Sequence, residues 1–501
     1  MISDGHEIAD GTTLECDLVL VGGGLAGLAL AREFVGKPVR VVVLESGGEE
    51  PEPESQALCE GAALLRDGAG GTNDLGGYLT ESRLRCLGGA GNIWGAKCAR
   101  LDESDFLERA WFPGSGWPFA RAELDPWYER ACECLQIESF QYDTASEFDP
   151  GRPPLALERF ETATRHFSPV RGGPGSTMPA YKQAVTGADN VRVLLHSNAV
   201  EIETDEAARV ARAVRVRTLR KNGFRVAARA IVLVAGGIEN ARLLLCSRAV
   251  HARGLGNQHD LVGRYFANHA TFGPGAAIGF TRETPPLDLY MTRDGRKIWG
   301  VLALSKAAQR GEKLGNFTVT MGPREGQPDP GDGPMLAAAD LADRGYVAAG
   351  RTPDAPVPVY FMSEQLPNRD SRIALAEETD ALGLPRVRLE WSFQAADEEH
   401  MRRSVRLFGR ELGQKAIGRV RCAWDERPMF LDSWSRHHIG MTRMHRDPTR
   451  GVVDADARVH GVEGLYVAGS SVFPTSGIAN PTLTLIALAL RLAEHLQGKL
   501  R

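Results

Sequence analysis

Between Leu18 and Gly48 the chain runs apolar strand, glycine turn, small-residue helix, apolar strand and acid, an order that few folds accommodate. Leu18-Val19-Leu20-Val21 is short, aliphatic and β-branched, and Gly22-Gly23-Gly24-Leu25-Ala26-Gly27 follows at once. Leu28 to Phe34 predicts a helix, and Val39 to Leu44 a second buried strand ending at Glu45-Ser46. Gly22 permits the tight turn, Gly24 lets backbone N–H groups approach a pyrophosphate, and Gly27 lets the helix lie close to the strand. The helix N-terminus offers unpaired N–H donors and partial positive charge to phosphates, and Leu25 and Ala26 in the turn before it are expected cofactor contacts. Glu45 stands where a carboxylate accepts both hydroxyls of an adenosine ribose. A glycine turn alone would say little. With both strands and the acid in place, the pattern predicts a dinucleotide site in an α/β fold.

The remaining composition narrows the alternatives. At 501 residues the chain suggests two intertwined domains. The hydrophobic fraction of 43% suits a globular protein, and 59 lysines and arginines against 64 aspartates and glutamates produce no strong field. No basic run is interleaved with aromatics, so nucleic acid is not an expected partner. Met1 to Thr13 shows no export signal, and Ile478 to Leu490 is too short and Thr-rich to span a bilayer, so a cytoplasmic protein without a membrane partner is expected. The eight cysteines, Cys16, Cys59, Cys86, Cys98, Cys132, Cys134, Cys246 and Cys422, form no CxxC pair and read as reduced thiols. With no HxxxH, HExxH or carboxylate cluster at ligand spacing, no metal is expected.

Further along, Glu49 to Gly77 is rich in Gly, Pro and Glu and predicts an extended surface connection. Gly88, Gly89, Gly91 and Gly95 fall close together with Asn92, Ile93 and Trp94, which suggests backbone passing close to a flat group, a second cofactor contact. The aromatics from Leu101 to Tyr128 read as core. Val191 to Leu195 and Val200 to Ile202 predict strands, and Val210 to Arg217 with Phe224 to Ala227 a β-meander. Ala230 to Val234 is another buried strand entering a turn at Ala235-Gly236-Gly237, with a helix over Glu239 to Cys246. Such a sequence returns a nucleotide domain to its sheet after an excursion. Alternating segments such as Pro356 to Phe361 and Val387 to Phe393, with a helix over Ala395 to Leu412, suit a mostly antiparallel substrate domain. The chain closes with Arg436 to Met444, the strand Leu465 to Ala468, Gly469-Ser470, and Asn480-Pro481-Thr482 opening a last helix to Leu496.

These residues resemble the glucose–methanol–choline (GMC) oxidoreductases, flavoproteins that oxidise alcohols. The resemblance covers both ends and residues 191 to 246. It implies a Rossmann-like FAD domain over 1–110, 185–275 and 430–501, interleaved with a substrate domain over 111–184 and 276–429. It places FAD on the first glycine loop, the Gly88 to Gly95 stretch along the flavin, and Val200 at the adenine end. Two catalytic positions fall on His437 and Asn480. The His/Asn pair with Asn-Pro-Thr-Leu-Thr looks most like pyranose oxidases and related sugar dehydrogenases. Where those enzymes tether FAD through a histidine this chain has Ile93, so the FAD is expected to be non-covalent. Alcohol oxidation needs the hydroxyl proton removed and a hydride delivered to flavin N5. An imidazole titrates near working pH, so His437 is the expected base, and Asn480 hydrogen-bonds the same oxygen. Neighbouring histidines on a strand face opposite ways, leaving His438 as the fallback. His269, His445 and His460 read as structural or solvated. The expected partners are a carbohydrate-type alcohol and an acceptor, oxygen or another. Two alternatives stay open: cyanohydrin-type lyase chemistry with structural FAD, or oxidation of a non-sugar alcohol.

Overall fold

Three runs without a polar residue, Leu18–Val21, Val41–Leu44 and Ala230–Leu233, have no face to offer water, and each is buried at every position. They form the middle of a six-stranded sheet ordered Ile2–Asp4, Val191–Leu195, Val41–Leu44, Leu18–Val21, Ala230–Leu233, Leu465–Val467. Every neighbouring pair is parallel, as expected of strands joined by crossovers and covered on both faces. Helix Leu25–Arg32 packs on the closing helix Thr482–Leu500, which also packs on Asp125–Cys134. The computed structural model describes residues 1–68, 70–137, 155–170, 178–272, 276–281, 285, 287, 289–290, 298–321, 356–422, 431–432 and 436–501.

The expected meander is present. Asn198–Thr204, Ala211–Arg217 and Gly223–Ala227 are antiparallel, and Thr13–Glu15 joins the edge in parallel. The mostly antiparallel part is a larger sheet with nine strands among the described residues. Its spine runs Gly418–Cys422, Ala276–Phe280, Val357–Ser363, Phe317–Met321, Ile298–Leu304, Phe160–Phe167, Lys97–Cys98. Helix Ala395–Gln414 packs beside Gly418–Cys422. Of the stretches expected to bind substrate, 138–154, 171–177, 282–284, 286, 288, 291–297, 322–355 and 423–429 lie outside the described residues. No helix among the described residues is long and apolar enough to cross a membrane.

Two local expectations are corrected. Residues 49–77 are not a mere surface connection: they carry helix Pro53–Ala57 and strands Gly61–Arg66 and Thr72–Asp74. Gly61–Arg66 pairs in parallel with Pro385–Ser392, burying Ala63 and Leu65. The Gly- and Pro-rich composition hid a strand whose partner is remote in sequence. Nor do His437 and His438 sit on a strand; the nearest pairing is a single bridge between Ala267 and Ile439.

Candidate active site

Where the parallel sheet meets the antiparallel one lies a cavity of about 710 Å³. The glycine turn forms part of its wall for steric reasons. Gly22 has φ +120°, and a Cβ there would meet the Val234 carbonyl oxygen at 2.6 Å. A Cβ on Gly27 would meet the Gly22 carbonyl oxygen at 2.1 Å, so only glycine lets the helix approach this closely. A Cβ on Gly24 would find nothing nearer than the Gly88 oxygen at 4.0 Å, and its bare backbone faces the cavity.

Glu45 lines the cavity and is 5% exposed. Its carboxylate accepts from the Gly23 N–H (2.9 Å), the Gly47 N–H (3.1 Å) and the Ser46 hydroxyl (3.1 Å), so it braces the turn. Burial pushes its carboxyl upward against these donors. Most other residues expected to contact a cofactor line the same cavity; Gly27, Gly88, Asn92 and Val200 do not. Gly88 donates its N–H to the Gly23 carbonyl (2.9 Å) and ties the two glycine stretches together. Asn92 is buried and donates to the Leu87 carbonyl (3.2 Å), shaping its own loop. Val200 is buried, while its strand neighbour Ala199 faces the cavity, the alternation that a strand imposes.

A charged group near the glycine turn lies outside the sequence-based expectations. Glu239 pairs with Arg83, with Arg85 (2.9 Å) and with Arg242 (3.5 Å), and Arg242 also pairs with Asp380 (2.7 Å). Burial works against a charge on Glu239, but the guanidiniums of Arg85, Arg242 and Arg83 hold it well below the usual carboxylate range. The partners come from separate segments, so no local spacing reveals them. Nearby, both amide atoms of Asn198 are buried without a protein partner in the cavity wall. Bare glycine backbone, a helix start, a carboxylate and an unpartnered amide fit a dinucleotide.

His437 and Asn480 also line the cavity, with Asn480 Nδ2 3.3 Å from His437 Nε2. Behind them, His437 Nδ1 lies 2.9 Å from His269 Nδ1, and His269 Nε2 lies 3.2 Å from the Ser476 carbonyl oxygen. His269 is fully buried, and burial pushes its imidazole down to about 4. It is therefore no solvated bystander, although nothing in its local sequence pairs it with His437. His438 lines the same cavity but packs against different residues. Its ring meets Tyr78 edge-on, with centroids 5.8 Å apart, and burial, with Arg83 and Arg436 nearby, pushes it down to about 3. His460 Nε2 contacts the His445 carbonyl (2.8 Å), and His445 Nδ1 accepts from the Asp447 N–H (2.9 Å).

The loop at Ser476 rests on a buried ionic group. Glu364 accepts from Arg109 (2.8 and 3.0 Å), from the Asn316 amide (2.7 Å) and from the Gly477 N–H (3.2 Å). Asn316 also donates to Asp105 (2.6 Å). Burial and the charge of Glu364 push Asp105 up, while Arg109, against burial, holds Glu364 down. Elsewhere Asp4, His6 and His196 bring ligand-type atoms within 4.8 Å of one another, a grouping absent from the sequence pattern.

Residues 367–489 match the family model described as GMC oxidoreductase. The chain is 26% identical to 6'''-hydroxyparomomycin C oxidase of Streptomyces lividus, over 96% of this chain and 92% of that protein. It is 24% identical to the fructose dehydrogenase large subunit of Gluconobacter japonicus, over 98% and 99%. Among solved structures it resembles pyridoxine 4-oxidase from Mesorbium loti, with TM-score 0.60 and 19% identity over 96% of this chain and 99% of that one.

Proposed function

We propose that this chain, which is an FAD-dependent GMC oxidoreductase, oxidises a CH–OH group of a sugar, glycoside or related polyol, with His437 as base and Asn480 as its hydrogen-bonding partner. One observation carries this reading: His437 Nε2 and Asn480 Nδ2 stand 3.3 Å apart in the wall of the cavity that the glycine turn also lines. A carbohydrate-type substrate is supported by relatives named for an aminoglycoside and for fructose.

Gly22, Gly24 and the start of Leu25–Arg32 would hold the pyrophosphate, and Glu45 the adenosine ribose. When bound, the flavin supplies the two-electron acceptor for the carbinol hydrogen. His437 takes the hydroxyl proton at Nε2, and Asn480 donates to the same oxygen, holding its lone pairs. The start of Thr482–Leu500, in the same wall, favours negative charge nearby. Ile93 lines the cavity at the position where the resemblance to covalently flavinylated pyranose oxidases implies a tethering histidine, and an alkyl side chain forms no bond to flavin. The FAD is therefore held non-covalently, and acid precipitation releases it into the supernatant.

The test is anaerobic flavin bleaching across sugars, glycosides, polyols and amino sugars, repeated with His437→Ala. Bleaching by a carbohydrate, lost in the variant, is the expected result. Bleaching by non-carbohydrate alcohols alone would overturn the substrate class, and none by any alcohol would overturn the redox reading.

A further inference from the structure

We infer that His269 is a positioning residue: it fixes His437 in the tautomer that leaves the Nε2 lone pair facing Asn480 and the substrate hydroxyl. The inference rests on the reading of His437 as base.

The argument starts from an atom with no choice. The Ser476 carbonyl oxygen only accepts, so His269 Nε2, 3.2 Å away, carries the proton. A fully buried, neutral imidazole has only one N–H, so Nδ1 of His269 carries a lone pair. His437 Nδ1, 2.9 Å away, must then donate to it. His437 Nε2 is left as an acceptor and faces an Asn480 amide nitrogen that can only donate. Four groups in series thus have one consistent proton arrangement, set by a backbone carbonyl. The Asn268 carboxamide oxygen keeps both histidines in place, accepting from the backbone N–H groups of His437 (3.2 Å) and His269 (2.9 Å).

The same arrangement serves the reaction. When the hydroxyl proton reaches His437 Nε2, its Nδ1–H continues to donate to His269, now from a cation, and the bond strengthens. The proton goes no further, because burial holds His269 neutral. The charges acting on His269 are Glu364, which favours protonation, and Arg165, which opposes it; burial outweighs both. Without His269 the imidazole could turn its N–H toward the substrate and lose its base.

Holoenzyme labelled with ¹⁵N-histidine provides the direct test. Ring-nitrogen shifts are expected to place the His437 proton on Nδ1 and leave Nε2 bare. His269→Leu removes the acceptor and should slow anaerobic flavin reduction about 10- to 100-fold, the effect of one lost hydrogen bond to a developing charge. Substrate affinity should change little, and the acid limb of the pH profile should move to lower pH. His269→Asn, whose Oδ1 takes the place of Nδ1, should recover part of the rate and return the limb. A His437 proton found on Nε2 overturns the inference even if the Leu variant fails to fold. So does a Leu variant with the wild-type rate and pH profile. If instead His437→Ala reduces its flavin at the wild-type rate, the base assignment itself has failed, whichever tautomer is found.

Discussion

Adjacent in sequence, His437 and His438 differ in what they touch, and their variants should differ in kind. His437→Ala removes the proposed proton acceptor, which faces Asn480. In FAD-replete protein it should slow flavin reduction by roughly 10²–10⁴-fold, the usual share of a positioned general base. Asn480→Ala loses one neutral donor and should cost less. Asn480→His should keep partial activity, since an imidazole N–H can replace the amide donor. The His437 and Asn480 effects should be non-additive, because both residues are proposed to act on one oxygen. His438→Ala, which removes a ring packed on Tyr78 and Phe266, should reduce near the wild-type rate. Stopped-flow reduction of all four separates the roles, and a collapse confined to His438→Ala would reverse the assignment. Glu45→Ala makes a different prediction. It orphans the N–H groups of Gly23 and Gly47, at about 1.5–3 kcal/mol for each charge-assisted bond. The FAD dissociation constant should rise steeply while flavin-replete rates change little, and an unchanged constant would refute the role. His437, Asn480 and Glu45 stood in motifs and could be picked out from the chain alone. His269 could not, because its partner lies 168 residues on and the tautomer logic exists only in three dimensions.

At the scale of elements, the glycine turn shows how much a local pattern can specify. Leu18–Val21, Val41–Leu44 and the helix between them, which starts at Leu25 rather than the expected Leu28, were predictable because each buries itself by its own composition and the steric demands at Gly22 and Gly27 are local. Gly27→Ala tests that demand. Alanine is better than glycine in a helix by about 1 kcal/mol, but the added Cβ would sit 2.1 Å from a backbone oxygen with no side chain to move aside. Overpacking of this kind costs roughly 1–3 kcal/mol or more, so the clash wins and the helix shifts off the strand. The variant should purify with a lower ratio of flavin to protein absorbance and a lower denaturation midpoint. Full flavin retention would show that the helix can move without harm. Strand Gly61–Arg66 is the opposite case. Its register is dictated by Pro385–Ser392, and its own alternation is too short and too glycine-flanked to announce it. The two exposed residues that open it, Gly61 and Ala62, read as loop until their partner is known.

On the scale of the whole molecule, segments far apart in sequence close the nucleotide sheet at its edge. Ile2–Asp4 is the edge strand beside Val191–Leu195, and His196 follows directly. The His196 ring reaches Asp4 with Nδ1 (3.1 Å) and Glu52 with Nε2 (3.0 Å), pinning the edge strand and the segment after Val41–Leu44 to one imidazole. Burial works against a charge on His196, but its hydrogen bonds to Glu52 and Asp4 win and raise its titration point. Against their own burial, the two carboxyls are held below their ordinary values by donors that include His196. The signs then define a window. A histidine raised in the folded state contributes fully below its unfolded value, about 6.5, and loses the contribution as pH rises through the folded value. Carboxyls lowered in the folded state contribute above their unfolded values, about 4, and lose it as pH falls through the folded values. The clamp therefore acts fully between about pH 4.5 and 6.5 and fades on the alkaline side. His6, stacked on His196 at 4.6 Å, runs the other way: burial lowers it, so it opposes folding as pH falls below its unfolded value. Comparing wild type with His196→Gln removes most of that background, because His6 remains in both and burial, ahead of His196, is the larger cause of its lowering. The difference in denaturation midpoint should be largest near pH 5.5, shrink with added salt because the carboxylates are partly exposed, and approach zero well above neutrality. A difference that stays constant from weakly acidic to alkaline pH would mean that His196 fills space at this edge without carrying charge.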